Sequence, residues 1–424
     1  MADRRAGRGA ALDRRRGARR GRAGRQPRGP AAVVRMSAAV TRVAMIGLGA
    51  ISQSVHLPLL RRNAEAFAIA ALVDLSAART ADMGARYGVP SARQFTSVDE
   101  LVAATAAGDL DVDAAILATT GSHAGDTLRL VRAGIRVLAE KPLAYSLAEL
   151  DELTAYGREA GVDLRDWVRV GYMKEYDTAS LRAKELLADV TLRAIDVQVM
   201  HPLDGSQLAY ARLAAPTGDV PRDTIEPLLA ATAAIVDGAV GSDLPVDLRT
   251  LYTNVVLGSI VHDVGLLRSL VGGLGEVAFA QHWGAKMPGS VHVRGTLARD
   301  ETPWTVDWHY IDGYPDYQET VTFHHEAGSI ELVFGVPYVT NLPTILRVTE
   351  SHPELGIRVS ESRWMQQEAF ENELYALAAL VRGERPDGAS VEESVADVRV
   401  GQRIIRALAV SKGHALDPSA EAAQ

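Results

Sequence analysis

Apolar and polar positions follow two different rhythms along this chain. Between Thr41 and Tyr172, short apolar runs such as Val43-Ala-Met-Ile46 and Ala68–Val73 alternate with longer stretches of helical spacing. The pattern predicts strands over 41–46, 68–73, 113–118, 135–139 and 167–172, and helices over 52–64, 76–87, 97–106, 122–133 and 146–160. Strands that read as continuous apolar runs are buried on both faces. Their alternation with helices predicts a doubly wound parallel sheet, an α/β domain of the Rossmann type. From about Lys174 the texture changes. Helices are predicted over 177–188, 223–238 and 253–271, and strands over 277–284, 291–299, 304–311, 318–325, 329–334 and 345–349. Closing helices follow over 365–381 and 391–408, the last with Ser390 as its N-cap. This half reads as an α+β domain with a large, mostly antiparallel open sheet and helices on one face.

Composition narrows the class. At 424 residues, 47% hydrophobic and 23% charged, the chain suits a globular protein of two domains. No window reads as an uninterrupted apolar span of bilayer length. The absence of cysteine excludes disulfides, thiolate nucleophiles and Cys-ligated metals, and fits a cytoplasmic protein. The net charge of −8 conceals an asymmetry: residues 1–35 hold twelve arginines and two acids, which leaves the remainder at about −18. Such an acidic body repels nucleic acid and anionic membrane. Residues 1–40 read as a disordered basic leader, because Arg, Ala, Gly and Pro without a hydrophobic period cannot offset the entropy of ordering. Met36, just before the first strand, is the natural start, with a real basic arm as the alternative.

Candidate chemistry begins at Val43-Ala-Met-Ile-Gly-Leu-Gly-Ala-Ile-Ser52. Gly47 permits a tight turn, and Gly49 lets a pyrophosphate approach the backbone. Ala50 and Ile51 lead into a helix whose N-terminus favours an anion. Ser52 holds the third small position of this fingerprint. Asp74 ends the second strand, 27 residues after Gly47, where an acid bonds the adenosine ribose. It favours NAD and repels a 2′-phosphate. Arg79, one helical turn on, keeps NADP as the alternative. In such a sheet the ligand lies beyond the strands' carboxyl ends, at Gly47–Ser52, Asp74, Thr119, Thr120, His123 and Glu140–Pro142.

Ala139-Glu140-Lys141-Pro142 closes the predicted fourth strand, and this stretch resembles the Glu-Lys-Pro signature of the glucose-fructose oxidoreductase/inositol dehydrogenase (Gfo/Idh/MocA) family. The likeness runs over nearly all of 41–410. It includes Gly47-Leu-Gly-Ala-Ile, His123, Ala133 to Pro142, Val170-Gly-Tyr-Met173, His262-Asp263 and Phe370-Glu-Asn-Glu373. The resemblance implies a leader over 1–40, an NAD(P)-binding domain over 41–173, a substrate and oligomerisation domain over 174–390 and a closing helix over 391–412. It also implies a dehydrogenase or reductase acting on a sugar, cyclitol or similar small polyol, assembled as a homo-oligomer (a dimer or tetramer) through the open sheet.

The resemblance implies that Lys141 is the proton-transfer residue or its partner. Oxidation of a secondary alcohol sends a hydride to the nicotinamide and a proton to a base. A lysine with its ordinary pKa near 10.4 serves only if burial and neighbouring cations depress it. The bland alternative is a salt bridge to Glu140. His262 is the second candidate for catalysis, against a packed helix histidine. Many family members carry an acid four residues before and another three after this histidine; here those positions are Gly258 and Gly265. The departure puts the usual proton relay in question. It also opens two rival readings: a dinucleotide-binding regulator without turnover, and an NAD-dependent glycosidase. Tyr172 and Lys174, at the domain joint, are candidate substrate contacts. Asp263 either bonds a substrate hydroxyl or caps a loop. The segment 202–250 reads as a helical insertion over the cleft. Trp304, Trp308, Tyr310, Tyr314 and Tyr317 resemble a sugar-stacking set, but Trp304, Trp308 and Tyr310 share a strand face and read as sheet core or subunit interface. Paired His324-His325 point to opposite strand faces, so no metal is expected.

Overall fold

The computed structural model describes residues 39–414, Ala285 excepted; the basic leader and Met36 lie outside the described residues. The first sheet is built from β1 (Thr41–Ile46), β2 (Phe67–Val73), β3 (Gln94–Phe95), β4 (Ala114–Leu117), β5 (Arg136–Glu140) and β6 (Val168–Gly171). Its order is β3-β2-β1-β4-β5-β6 and every pairing is parallel. The doubly wound expectation holds. The addition is β3, two residues long and too short to carry a periodic signal. Helices α1 (Leu57–Arg62), α2 (Ala77–Tyr87), α3 (Val98–Ala107), α4 (Ala124–Arg132) and α5 (Leu147–Ala160) cover both faces. Residues Val43 to Ile46 are almost completely buried. Val43 and Met45 face Leu57, Leu60 and Leu72, whereas Ala44 and Ile46 face Leu101 and Leu130. Strand order reverses between β1 and β4, so the crevice at their carboxyl ends is the ligand position.

The second sheet has eight strands in the order β14-β13-β12-β11-β7-β10-β9-β8. These are β7 (Leu192–His201), β8 (Leu274–Trp283), β9 (Ser290–Leu297), β10 (Pro303–Tyr310), β11 (Gln318–His325), β12 (Gly328–Phe334), β13 (Ile345–His352) and β14 (Gly356–Ser362). All pairings are antiparallel except β7 with β10. The sequence reading lacks β7 and β14. Yet β7 is central, and Ile195-Asp-Val-Gln-Val199 alternates cleanly between buried and exposed positions. Ile195, Val197 and Val199 stand in register with Trp304, Val306 and Trp308, forming one buried face. Gly295 lies beneath Trp304, where a Cβ would come within 2.4 Å of the indole ring.

Further helices are α6 (Thr178–Leu187), α7 (Asp204–Leu208), α8 (Arg222–Val240), α9 (Val246–Leu251), α10 (Val261–Leu267), α11 (Ala369–Val381) and α12 (Val391–Ser411). α9 and α10 belong to one helix over 246–272, wound as a π-helix at Tyr252–Ile260 and Arg268–Gly272. This helix is long and apolar enough to cross a membrane, which corrects the expectation that no segment is. In the fold it is a core element, with 67% of its most apolar window buried. α11 returns to the first sheet, where Phe370, Leu374 and Leu377 pack with Val43 and Met45. A capping box at Ser390 and Glu393 starts α12 as the sequence predicts.

Gly295→Ala should destabilise the protein by about 1–3 kcal/mol through overpacking against Trp304. The midpoint of urea unfolding measures it, and a variant as stable as the parent would show that the sheet yields at this point.

Candidate active site

The glycine loop is fixed by a close approach. Gly47 has φ of +82°, and a Cβ there would lie 2.6 Å from the Ala118 carbonyl carbon and oxygen, so no other residue fits without moving β4. Ser52 is fully buried and donates its hydroxyl to Gly47 O at 2.5 Å, which explains a serine at the third small position. Asp74 braces the loop: its carboxylate accepts from Leu48 N at 2.8 Å and from Ser76 N at 2.9 Å. Around a Cβ built on Gly49 there is no atom within 4 Å. The loop is therefore pinched where the strands meet and open where a phosphate would rest, and these residues fit a dinucleotide.

A cleft of about 670 Å³ runs from this loop to the second sheet. Gly49, Ala50, Ile51, Thr119, Thr120, His123, Glu140 and Lys141 line its first end. His123 is buried, with Nδ1 2.8 Å from Pro142 O and Nε2 3.0 Å from Thr119 O, so it joins the two loops more than it faces the cleft. Glu140 accepts from His56 Nε2 at 2.8 Å; burial opposes its ionisation, but His56 outweighs this and holds the carboxyl below its usual range.

Lys141 does not pair with Glu140 by a hydrogen bond. Its Nζ donates to Gly258 O at 2.6 Å, on the π-wound part of the long helix. A carbonyl oxygen has two lone pairs, so this bond is compatible with the helix's own ladder. Burial pushes the Lys141 pKa down, Glu140 opposes it, and the Lys174 cation adds to the depression. His262 lines the same cleft. Burial, then the Lys141 and Lys174 charges, push its pKa well below the ordinary histidine value, so it is neutral. Its Nδ1 is buried and meets no hydrogen-bonding partner.

The second-sheet end holds a buried ionic cluster. Lys174 Nζ donates to Asp263 Oδ1 at 2.9 Å and to Glu319 Oε1, and Tyr317 donates to Glu319 Oε2 at 2.6 Å. Burial lowers the affinity of Lys174 for its proton, but the two carboxylates outweigh it and raise its pKa. Burial lifts the Asp263 carboxyl well above its usual range, with Glu319 adding to it. Glu319 is held low despite burial, by Lys174 and the donors around it. Asp263 is thus the more readily protonated of the two carboxyl groups, and Lys174 faces both.

Tyr172 is placed otherwise than the sequence suggests. It is not on the cleft wall. It packs edge-on behind His262, with ring centroids 6.5 Å apart, and Arg268 lies over its other side. Gly265 makes this packing feasible, since a Cβ there would meet the Tyr172 ring at 3.1 Å. Trp304 is sheet core as expected, but Trp308, Tyr310 and Tyr317 line the cleft around His201. Glu319 and His201 are absent from the sequence reading. The available signal for Glu319 was a carboxylate in phase with the buried Val321 and Phe323. His201 ends the overlooked strand β7. Among the described residues no group of three His, Asp or Glu is arranged to hold a metal.

Residues 41–165 match the model of an oxidoreductase family described by its NAD-binding Rossmann fold. The chain is 44% identical over 88 residues to 1,5-anhydro-D-fructose reductase of Ensifer adhaerens, covering 20% of this chain and 25% of that protein. It is 30% identical over 161 residues to inositol 2-dehydrogenase of Paracoccus denitrificans, covering 38% and 45%. The matches thus span from a quarter to under half the length of these curated relatives. Whole-fold likeness is wider. UDP-N-acetylglucosamine 3-dehydrogenase from Acidithiobacillus ferrooxidans superposes with a TM-score of 0.63 over 88% of this chain and 99% of that one, at 17% identity. A scyllo-inositol dehydrogenase from Lactobacillus casei gives 0.60 over 89% and 98%, at 16%. At these identities the likeness shows the fold.

Lys174→Met should cost about 3–5 kcal/mol near pH 8, because it strands two buried carboxyl groups without their cation. A carboxyl whose folded pKa is raised keeps a proton that the unfolded chain has released. The variant should therefore lose stability as pH rises above about 4, and its deficit should shrink towards pH 4. Urea unfolding at several pH values measures this; a deficit independent of pH would contradict the charge assignment.

Proposed function

We propose that this chain, whose residues 41–165 match the NAD-binding model of the Gfo/Idh/MocA oxidoreductases, is an enzyme of that family that interconverts a secondary alcohol and a ketone on a sugar, cyclitol or related small polyol, with Lys141 and His262 handling the proton. A bound nicotinamide supplies the hydride acceptor or donor. The observation that carries the reading is the bond from Lys141 Nζ to Gly258 O. An aspartate at position 258 would hold the lysine charged. A main-chain carbonyl orients the amine without adding a negative charge. A neutral amine has two N–H groups and one lone pair, so a fixed N–H restricts the lone pair to two directions.

In oxidation, neutral Lys141 takes the hydroxyl proton at Nζ. In reduction, its ammonium form returns that proton to the forming alkoxide. Neutral His262 offers a ring nitrogen to a substrate hydroxyl from the same wall. The Lys174–Asp263–Glu319 cluster presents further polar atoms at the far end, and Trp308 and Tyr310 supply the apolar faces on which a sugar ring can rest. Gly49, Ala50, Ile51, Thr119 and Thr120 would hold the dinucleotide along the first end of the cleft, with Asp74 on the adenosine side. The missing acid at Gly258 favours a silent regulator; the hydrogen bond from Lys141 to the carbonyl of that residue supports the enzymatic reading instead.

Lys141→Met should lower kcat by about 10²–10⁴-fold, the worth of general acid–base help. In the parent enzyme kcat/KM for alcohol oxidation should rise with pH through an inflection below the ordinary lysine value of 10.5, since only the neutral amine accepts a proton. Absorbance at the nicotinamide band across a polyol panel reads both. Full turnover by Lys141→Met would remove that residue from the mechanism.

A further inference from the structure

The connection between β7 and α8 does more than join them. From Ala214 to Asp219 it runs past the glycine loop and onto the N-terminus of α2. Ala214 N donates to Gln53 Oε1 at 2.8 Å, and Arg79 Nη2 donates to Ala215 O at 2.7 Å. Thr217 Oγ1 lies 2.8 Å from Ser76 Oγ. Asp219 takes the Ser76 hydroxyl on Oδ1 at 2.5 Å and the Ala78 N–H on Oδ2 at 3.0 Å. The Ser76 hydrogen bond, then those of Thr217 and Ala78, hold this carboxyl well below its usual range, so it is an anion at neutral pH.

Ser76, Ala78 and Arg79 follow Asp74 by two, four and five residues, at the carboxyl end of β2. In dinucleotide-binding sheets the two cofactors are told apart here. An acid closing β2 bonds the ribose 2′-hydroxyl, whereas a nearby arginine accommodates a 2′-phosphate, and a helix N-terminus attracts such an anion. Read alone, Arg79 argues for NADP. In the fold that argument reverses, because the donors that a phosphate would use are engaged by the strap. Resting on the oxidoreductase reading, we propose that Asp219 is a cofactor-selecting residue, a carboxylate that occupies the 2′-phosphate position on Ser76 and Ala78 and restricts the enzyme to NAD. A phosphate entering there must displace these bonds and approach both Asp74 and Asp219, two like charges. A 2′-hydroxyl leaves the strap in place and bonds Asp74. The selecting residue comes from a segment 145 positions beyond Asp74, and so lies outside the local β2–α2 sequence on which cofactor choice is ordinarily read.

Calorimetric titration of NAD⁺ and NADP⁺ into the full chain tests this. The parent should bind NAD⁺ about tenfold or more tighter than NADP⁺, and Asp219→Ser should tighten NADP⁺ by about tenfold while NAD⁺ moves less than about threefold. Adding Arg79→Ala to Asp219→Ser should remove the gain, since the guanidinium beside that position is then no longer there to meet the phosphate. Asp219→Asn keeps the side chain's size and drops its charge, so it should show part of the same gain even if the serine variant folds poorly. A parent that binds NADP⁺ as tightly as NAD⁺ would overturn the proposal. So would an Asp219→Ser change that is equal for both cofactors, which would mark the strap as a plain cover, or no change for either. A parent that binds neither dinucleotide would overturn the oxidoreductase reading itself, a distinct result.

Discussion

One hydrogen bond, from Lys141 Nζ to Gly258 O, ties the end of β5 to the helix that fills the space against the second sheet. Much of the site depends on it. Lys141 directly follows β5, at the carboxyl ends of the parallel strands, and lines the cleft with the glycine loop. The long helix carries His262 and Asp263 one turn further on. Joining the two through a neutral acceptor puts the Lys141 amine, a neutral imidazole and the glycine loop on one cleft. The nearest carboxylate, on Glu140, is turned to His56 instead. The lysine is therefore positioned by a dipole and destabilised as a cation by burial and by Lys174. That combination favours a base that titrates closer to neutrality.

The ionic cluster beyond it shows how such an arrangement is tolerated. Three ionisable groups buried together are costly unless their charges cancel and their donors are matched. Lys174 faces two carboxyl groups, of which Asp263 holds its proton the more tightly, and Tyr317 satisfies Glu319 from the other side. The Lys174 cation also lies near enough to add to the depression of Lys141 and His262 that burial begins. Charge at the second-sheet end of the cleft thus adds to what burial does at the first end, and the two halves are electrostatically coupled.

What the sequence discloses follows from how local each signal is. The glycine loop, Asp74 and Lys141 were legible because each stands at a strand end with a fixed local geometry. Glu319 was not, because its partners Lys174 and Asp263 lie 145 and 56 positions away and no period links them. Tyr172 misled for a related reason: its neighbours in sequence suggest the cleft, while Gly265 and Arg268 on the long helix draw its ring behind His262. The strand β7 had the alternation of a half-buried strand and was overlooked only because it follows a helix without a glycine turn. A π-wound segment leaves no mark in hydropathy, so a main-chain carbonyl at Gly258 could not be foreseen.

The glycines at 258 and 265 shape the site in different ways. Gly265 leaves room for the Tyr172 ring, which packs on the edge of His262. Gly258 puts no carboxylate beside Lys141, whose amine meets the main-chain oxygen of that residue instead. Burial and neighbouring cations act on the amine and on the imidazole in the same direction, and both are pushed towards their neutral forms. The two groups are thus oriented by packing and by a backbone acceptor rather than by a charge of their own.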